Sequence, residues 1–176
     1  MKQAKPIVVR HGGFTLIEVM AVMLILALLS TAAAWSFAQP LARARTAEAV
    51  ELVTSFDASS RLGARRFGRG VDMVFDLTAG TLERREGERT VYRGTLPRGF
   101  SIEQVRTGDQ IRDAGERTIS CSRLALTPSY AVKLVGPNGV ERWIVFAGLS
   151  GQVTAARDEA DVDALLNFAT ARRDAR

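Results

Sequence analysis

Val19 to Phe37 is a run of 19 residues without a charged side chain, VMAVMLILALLSTAAAWSF, directly after Glu18. Counted from Phe14, and so including Glu18, the stretch is 24 residues. At about 1.5 Å per residue a helix of that length measures roughly 36 Å, against a hydrocarbon core of about 30 Å. It can cross a bilayer with some tilt. Trp35 and Phe37 sit near its far end, and Trp favours the membrane interface. Lys2, Lys5 and Arg10 precede the run, so the positive-inside rule places the N-terminus in the cytoplasm; Arg43 and Arg45, beyond the far end, oppose that orientation. A secretory signal peptide is the competing reading, and Ala32, Ala33 and Ala34 supply small residues for its cleavage site. Against it stand the length of the run and the position of Glu18. An acid at the centre of a membrane helix costs about 2.5–3.5 kcal/mol on insertion scales, less near an end, and a simple signal has no use for that cost.

Composition narrows the chemistry. The 176 residues fit one domain of ordinary size. One His, His11, and one Cys, Cys121, leave no intrachain disulfide, no CxxC pair and no Cys/His zinc site. A Ser-His-Asp or Cys-His arrangement would have to use His11. These counts argue against an enzyme. The net charge of +5 suggests a nucleic-acid partner at first sight. Beyond residue 13, however, 21 basic side chains face 19 acidic ones, so the excess lies largely in the leader.

Residues Gly13-Phe14-Thr15-Leu16-Ile17-Glu18-Val19-Met20 read GFTLIEVM. This octapeptide, behind a basic leader and at the head of an apolar run, resembles the processing motif of type IV prepilins and of the pseudopilins of type II secretion. The resemblance implies cleavage after Gly13 by a prepilin peptidase on the cytoplasmic side. It implies N-methylation of the new terminus, Phe14, and an assembly role for Glu18, the fifth residue of the mature chain. The residue chemistry agrees. Gly13 offers no side chain to obstruct a protease. Cleavage frees an α-amino group whose charge survives methylation, and a buried carboxylate needs such a partner. The resemblance implies the amine of a neighbouring subunit as that partner; the local alternative, four residues away on the same helix, is the chain's own Phe14. A helix N-terminus also favours an acid at this position.

The helical pattern continues past Pro40, where a kink or a break is open. Ala49, Leu52, Val53, Phe56, Ser60, Gly63 and Phe67 mark one face, with Glu51, Asp57, Arg61 and Arg65 off it and Asp57–Arg61 a four-apart pair. From Val71 the period becomes 2. Strands are predicted at 71–77, 81–85, 90–93, 99–106, 118–126, 130–135, 140–147 and 152–156, with 107–117 a polar loop. Gly136-Pro137-Asn138-Gly139 is a strong turn. Asp158 caps a last helix over 159–173. Arg84, Arg85, Arg89, Arg93 and Arg98 alternate with Glu83, Glu86 and Glu88, the pattern of a solvated hairpin. Cys121 reads as a buried thiol sharing a strand face with Ile119 and Arg123.

The expected fold is α+β and pilin-like, a long N-terminal helix packed on an antiparallel β-sheet domain. The expected divisions are a removed leader over 1–13, a transmembrane helix over 14–38, its amphipathic continuation over 39–67, a β-rich domain over 68–157 and a C-terminal helix and basic tail over 158–176. The order of helix, VDMVFDL, late hairpin and GLSGQV resembles the minor pseudopilins of the H type, although Thr127-Pro128-Ser129 stands where their glycine-rich stretch would be. That resemblance implies a structural subunit of a secretion pseudopilus, with no cofactor. Its partners would be other pseudopilins, the prepilin peptidase, the inner-membrane assembly platform and the bilayer. It would sit in the inner (cytoplasmic) membrane as a single-pass protein with a periplasmic domain. A minor type IV pilin for adhesion, motility or DNA uptake is the alternative, with Arg172, Arg173 and Arg176 as its DNA contacts. A signal-anchored periplasmic binding domain is a third.

Overall fold

The computed structural model describes residues 15–108 and 110–174; for 32–39, 138 and 168–174 it describes the backbone alone. The chain divides into two compact units, residues 1–43 and 44–176, and the first helix contributes to both. That helix, α1 (Leu16–Phe67), has 52 residues and carries Pro40 in its interior without interruption of the helix. Of the two outcomes open at Pro40, a kink or a break, the break is therefore absent. Gly68 at φ +62° ends the helix: the Arg69 amide reaches the Ala64 carbonyl at 3.2 Å and the Gly68 amide the Arg65 carbonyl at 3.4 Å. A residue in this left-handed conformation favours glycine and closes the orphan carbonyls of the last turn.

In the first unit the described side chains are exposed all round the helix, among them Leu16, Ile17, Met20, Met23, Leu24 and Leu28. Polar groups in this stretch are satisfied within the helix. The Ser30 hydroxyl donates to the Leu26 carbonyl at 2.7 Å, and Thr31 donates to those of Leu28 and Ala27 at 2.8 and 3.1 Å. Such back-bonding lets a hydroxyl sit in an apolar medium without a solvent partner.

The second unit is built on β1 (Val71–Asp76), β2 (Thr81–Glu86), β3 (Arg89–Thr95), β4 (Ser101–Thr107), β5 (Gln110–Arg112), β6 (Glu116–Cys121), β7 (Tyr130–Val135), β8 (Glu141–Phe146), β9 (Val153–Ala156) and α2 (Glu159–Asp174). The α+β order and the antiparallel pairing follow the sequence pattern, but there are two sheets where one was expected. Their orders are β3-β2-β1-β6 and β5-β4-β7-β8-β9. The loop expected over 107–117 instead contains β5 and the start of β6. Its polar residues pair on an exposed edge, Val105 with Arg112 and Thr107 with Gln110, where alternation carries no apolar signal.

The strand expected to reach residue 126 stops at Cys121. There Ser122 turns the chain, its hydroxyl oxygen accepting from the amides of Leu124 and Leu126. Arg123 therefore leaves the strand and its shared face, while Ile119 and Cys121 stay buried.

The main core joins α1 to both sheets: Ala49, Val53, Phe56 and Ala64 meet Met73, Phe75, Leu82, Ile102, Val105, Tyr130 and Phe146. Edge-on and stacked rings run through it, Phe56–Phe75 at 5.6 Å and Tyr130–Phe146 at 4.6 Å between centroids. Such pairs add about 0.5–1.5 kcal/mol each beyond their buried area. The opposite face of the five-stranded sheet presents Ala131, Trp143 and Val145, which Val162 and Leu166 of α2 cover.

Candidate functional site

Thr15 and Glu18 open α1. The Glu18 amide donates to the Thr15 carbonyl at 3.0 Å and approaches the Thr15 hydroxyl at 3.4 Å. Thr15 followed three residues later by Glu18 is the spacing of a capping box, which satisfies amides that a helix start leaves without partners. The carboxylate of Glu18 thus lies in the first turn, where the helix dipole favours negative charge. The side chains of residues 15–31 are all exposed in the isolated chain. A surface of leucine, isoleucine and methionine of this extent needs lipid or other helices against it. Gly13 and Phe14 lie outside the described residues.

Among the described residues no helix is long and apolar enough to cross a membrane. The part of the apolar run with described side chains, 15–31, would measure about 25 Å, short of the roughly 30 Å of a hydrocarbon core. The rest of the run, through Phe37, falls among the residues whose backbone alone is described.

The second unit contains a buried polar cluster that the sequence reading placed off the packed face of α1. Asp57 is 1% exposed and Arg61 8%. The buried face of α1 is Ala49, Val53, Phe56, Asp57, Ser60, Arg61 and Ala64, while Phe67 is exposed. Arg61 Nε donates to Asp57 Oδ2 at 2.7 Å. One terminal nitrogen donates to the carbonyls of Ala125 and Gly148 at 3.0 and 2.8 Å, and the other to Thr127 Oγ1 at 2.7 Å. The Tyr130 hydroxyl donates to Asp57 Oδ1 at 2.8 Å. Burial, then the charge of Asp57 and this bond, push the Tyr130 phenol well above its usual range. Burial likewise raises the Cys121 thiol, against the nearby Arg61. Every charge in this cluster is matched, and it joins α1 to the loops after β6 and β8. Its role is architectural. The spacing of Asp57 and Arg61 was visible, but their burial was not, because a four-apart ion pair is ordinarily a surface feature.

Arg89, Arg93 and Arg98 are exposed, as the alternation suggests, but the hairpin also holds a buried acid. Glu83 is 7% exposed and lies between Arg85 and Arg93, at 2.8 and 2.6 Å. The hydrogen bond from Arg85 holds its carboxyl below the usual range; burial opposes this and Arg93 reinforces it. Near the C-terminus, Asp158 Oδ1 accepts the Asp161 amide at 2.8 Å and caps α2 as expected. Arg106 pairs with Glu159 at 3.1 Å and with Asp163 at 2.6 Å, fastening α2 to the sheet. The side chains of Arg172 and Arg173, and all of Arg176, lie outside the described residues. Among the described residues no group of three or more His, Cys, Asp and Glu side chains is arranged to hold a metal ion.

Residues 9–34 match the prokaryotic N-terminal methylation motif. That motif is typical of type IV prepilin-like proteins, pseudopilins included, and it is the N-terminal stretch of this chain that is similar to theirs. Proteins carrying it are structural subunits that a prepilin peptidase processes and that assemble with other pilin-like subunits; it points to a membrane-anchored N-terminus. No curated protein and no solved structure matches the chain.

Proposed function

We propose that this chain is a minor pseudopilin of the H type, a structural subunit of a type II secretion pseudopilus that acts by assembly. The observation that carries the reading is GFTLIEVM at residues 13–20, inside the matched methylation motif. Residues 1–13 are the leader, removed after Gly13, and Phe14 becomes the methylated N-terminus. Residues 14–38 cross the inner membrane once, 39–67 continue the helix, 68–157 form the periplasmic domain and 158–176 the C-terminal helix and tail. Glu18 receives the amine of a neighbouring subunit. The internally satisfied hydroxyls of Ser30 and Thr31 support the membrane assignment. Its partners are other pseudopilins, the prepilin peptidase, the assembly platform and lipid.

A minor type IV pilin shares every one of these N-terminal features, and the genes beside this one separate the two systems. In the DNA-uptake form of that alternative the tail arginines hold phosphates. Asp158, Glu159, Asp161 and Asp163 stand against it, although Glu159 and Asp163 share Arg106, whose single charge offsets one of their two.

The processing step gives the direct test. Gly13→Leu places a branched side chain where the peptidase must approach the backbone. The variant should accumulate in the membrane as the 176-residue precursor, while the wild type yields a chain starting at methylated Phe14. Mass spectrometry of the N-terminus reads the difference. A mature terminus near Ala33 or Ala34 means a signal peptide and removes the pilin reading.

A further inference from the structure

Surface leucines gather at one place in the second unit. Leu62 of α1, Leu124 in the loop after β6 and Leu149 in the loop after β8 are each more than half exposed, and Leu126 is 38% exposed. Single exposed apolar side chains are ordinary, but these four line one groove of about 230 Å³. Ala58, Leu62 and Arg65, spaced four and three along α1, form one wall, and the two loops form the other. Arg61 also lines the groove; its bonds to the Ala125 and Gly148 carbonyls tie both loops to the helix. The Ser122 hydroxyl oxygen accepts the Leu124 and Leu126 amides, and Ala125 is held at φ +63°, a conformation that a residue with a Cβ seldom adopts. The leucines are therefore carried on fixed backbone, so a partner pays little to order them.

We propose that this groove docks an amphipathic helix of another protein, one with an apolar face flanked by carboxylates. The walls set the sign of the charge. No acid lines the groove, and Arg61 is neutralised by Asp57, whereas Arg65 makes no ion pair among the described residues. Arg123, exposed and likewise without an ion pair among the described residues, stands next to Leu124 in the chain. The backbone sets the form of the partner. The amides of Leu124, Ala125 and Leu126 and the carbonyls of Ser122, Ala125, Leu126 and Gly148 already have partners. An extended segment would find few groups there for its own amides and carbonyls. A helix satisfies its backbone internally and needs a place for one apolar face only. A second copy of this chain fits less well. Its α2 has the right charges, Glu159, Asp161 and Asp163, but Val162 and Leu166 are buried on its own sheet. A bilayer also fits less well, because it covers side chains that project, and these leucines flank a recess between helix and loops.

The test uses the full chain in phosphatidylcholine nanodiscs, with empty discs as the blank. The probe is a labelled peptide, Glu-Leu-Ala-Glu-Leu-Leu-Glu-Ala-Leu-Ala-Glu-Leu-Leu-Glu-Ala, followed by fluorescence anisotropy. Leu124→Ala with Leu149→Ala should weaken binding about tenfold or more. Both side chains are more than half exposed, so the fold should tolerate their truncation. Arg65→Glu with Arg123→Glu should weaken it too, and the peptide with Lys in place of Glu should bind that variant better than the wild type. Replacing the central Ala of the peptide by Pro breaks its helix and should abolish binding. The proposal is overturned if the peptide does not bind, if the Pro peptide binds as well, or if either double variant binds like the wild type. It is also overturned if phosphatidylglycerol vesicles bind the wild-type discs and not those of the leucine variant, which would make the patch a lipid surface. Discs that pair through these leucines in place of binding the peptide overturn it as well, and make a second copy the occupant.

Discussion

Arg61 illustrates how much one side chain can decide in the second unit. Its guanidinium satisfies Asp57, a hydroxyl and two loop carbonyls at once. Breaking a buried pair by removing one partner costs about 3–5 kcal/mol, since the other charge is left without compensation. Arg61→Ala should therefore lower the stability of the domain by about that amount, measured as a shift in the urea midpoint. Tyr130→Phe removes one bond to Asp57 and leaves the ion pair, so its loss should be smaller, roughly 1–3 kcal/mol. Equal losses would mean that the cluster does not act through its charge. Gly148 belongs to the same cluster. A Cβ there would collide with the backbone carbonyl of Thr127, so the close approach of the two loops requires glycine. Sequence reading gave Gly148 a turn and Asp57–Arg61 a surface pair. It could not give the partners, which lie 64 and 87 residues away from Arg61.

Among the elements, the β2–β3 hairpin shows where charge alternation misleads. Glu83 faces inward because Arg85 and Arg93 compensate it, so a pattern that reads as solvated hides a nearly buried acid. Its carboxyl titrates below the usual value near 4.5 when folded. A group with a depressed folded pKa adds stability that is fully present above the unfolded value and is lost as pH falls through the folded one. Glu83→Gln should thus be less stable than wild type at pH 7, and the gap should narrow as pH drops below about 4.5. Urea midpoints measured across that range check it, and a gap independent of pH would remove Glu83 from the acid response. The strands 71–76, 130–135 and 153–156 were readable because apolar alternation or turn residues bound them. β5 was not, since all three of its residues are exposed. The division into two sheets was also hidden, because strand order depends on contacts that period alone does not encode.

For the whole molecule, the informative part of the sequence is its first fifth. The motif there was legible because it is short and contiguous, and the match over 9–34 rests on the same stretch. The rest of the chain carries a fold without a comparable signature. Glu18→Val tests the proposed assembly role: insertion should be unchanged or improved, since the cost of a buried acid disappears. Assembly should fall, because a neighbouring amine loses a partner worth about 3–5 kcal/mol when the pair is buried. Cross-linking to partner subunits at the wild-type level would defeat this account of Glu18.

The long reach of Arg61 also bears on how the chain is made. Synthesis proceeds from the N-terminus, so Asp57 and Arg61 emerge well before Ala125, Thr127, Tyr130 and Gly148 exist. During that interval both charges stay hydrated and interrupt the apolar face of the second half of α1. That half of α1 can therefore close its face against the sheets only after β8 and the loop behind it have been synthesised, so the domain assembles late, around a helix made early.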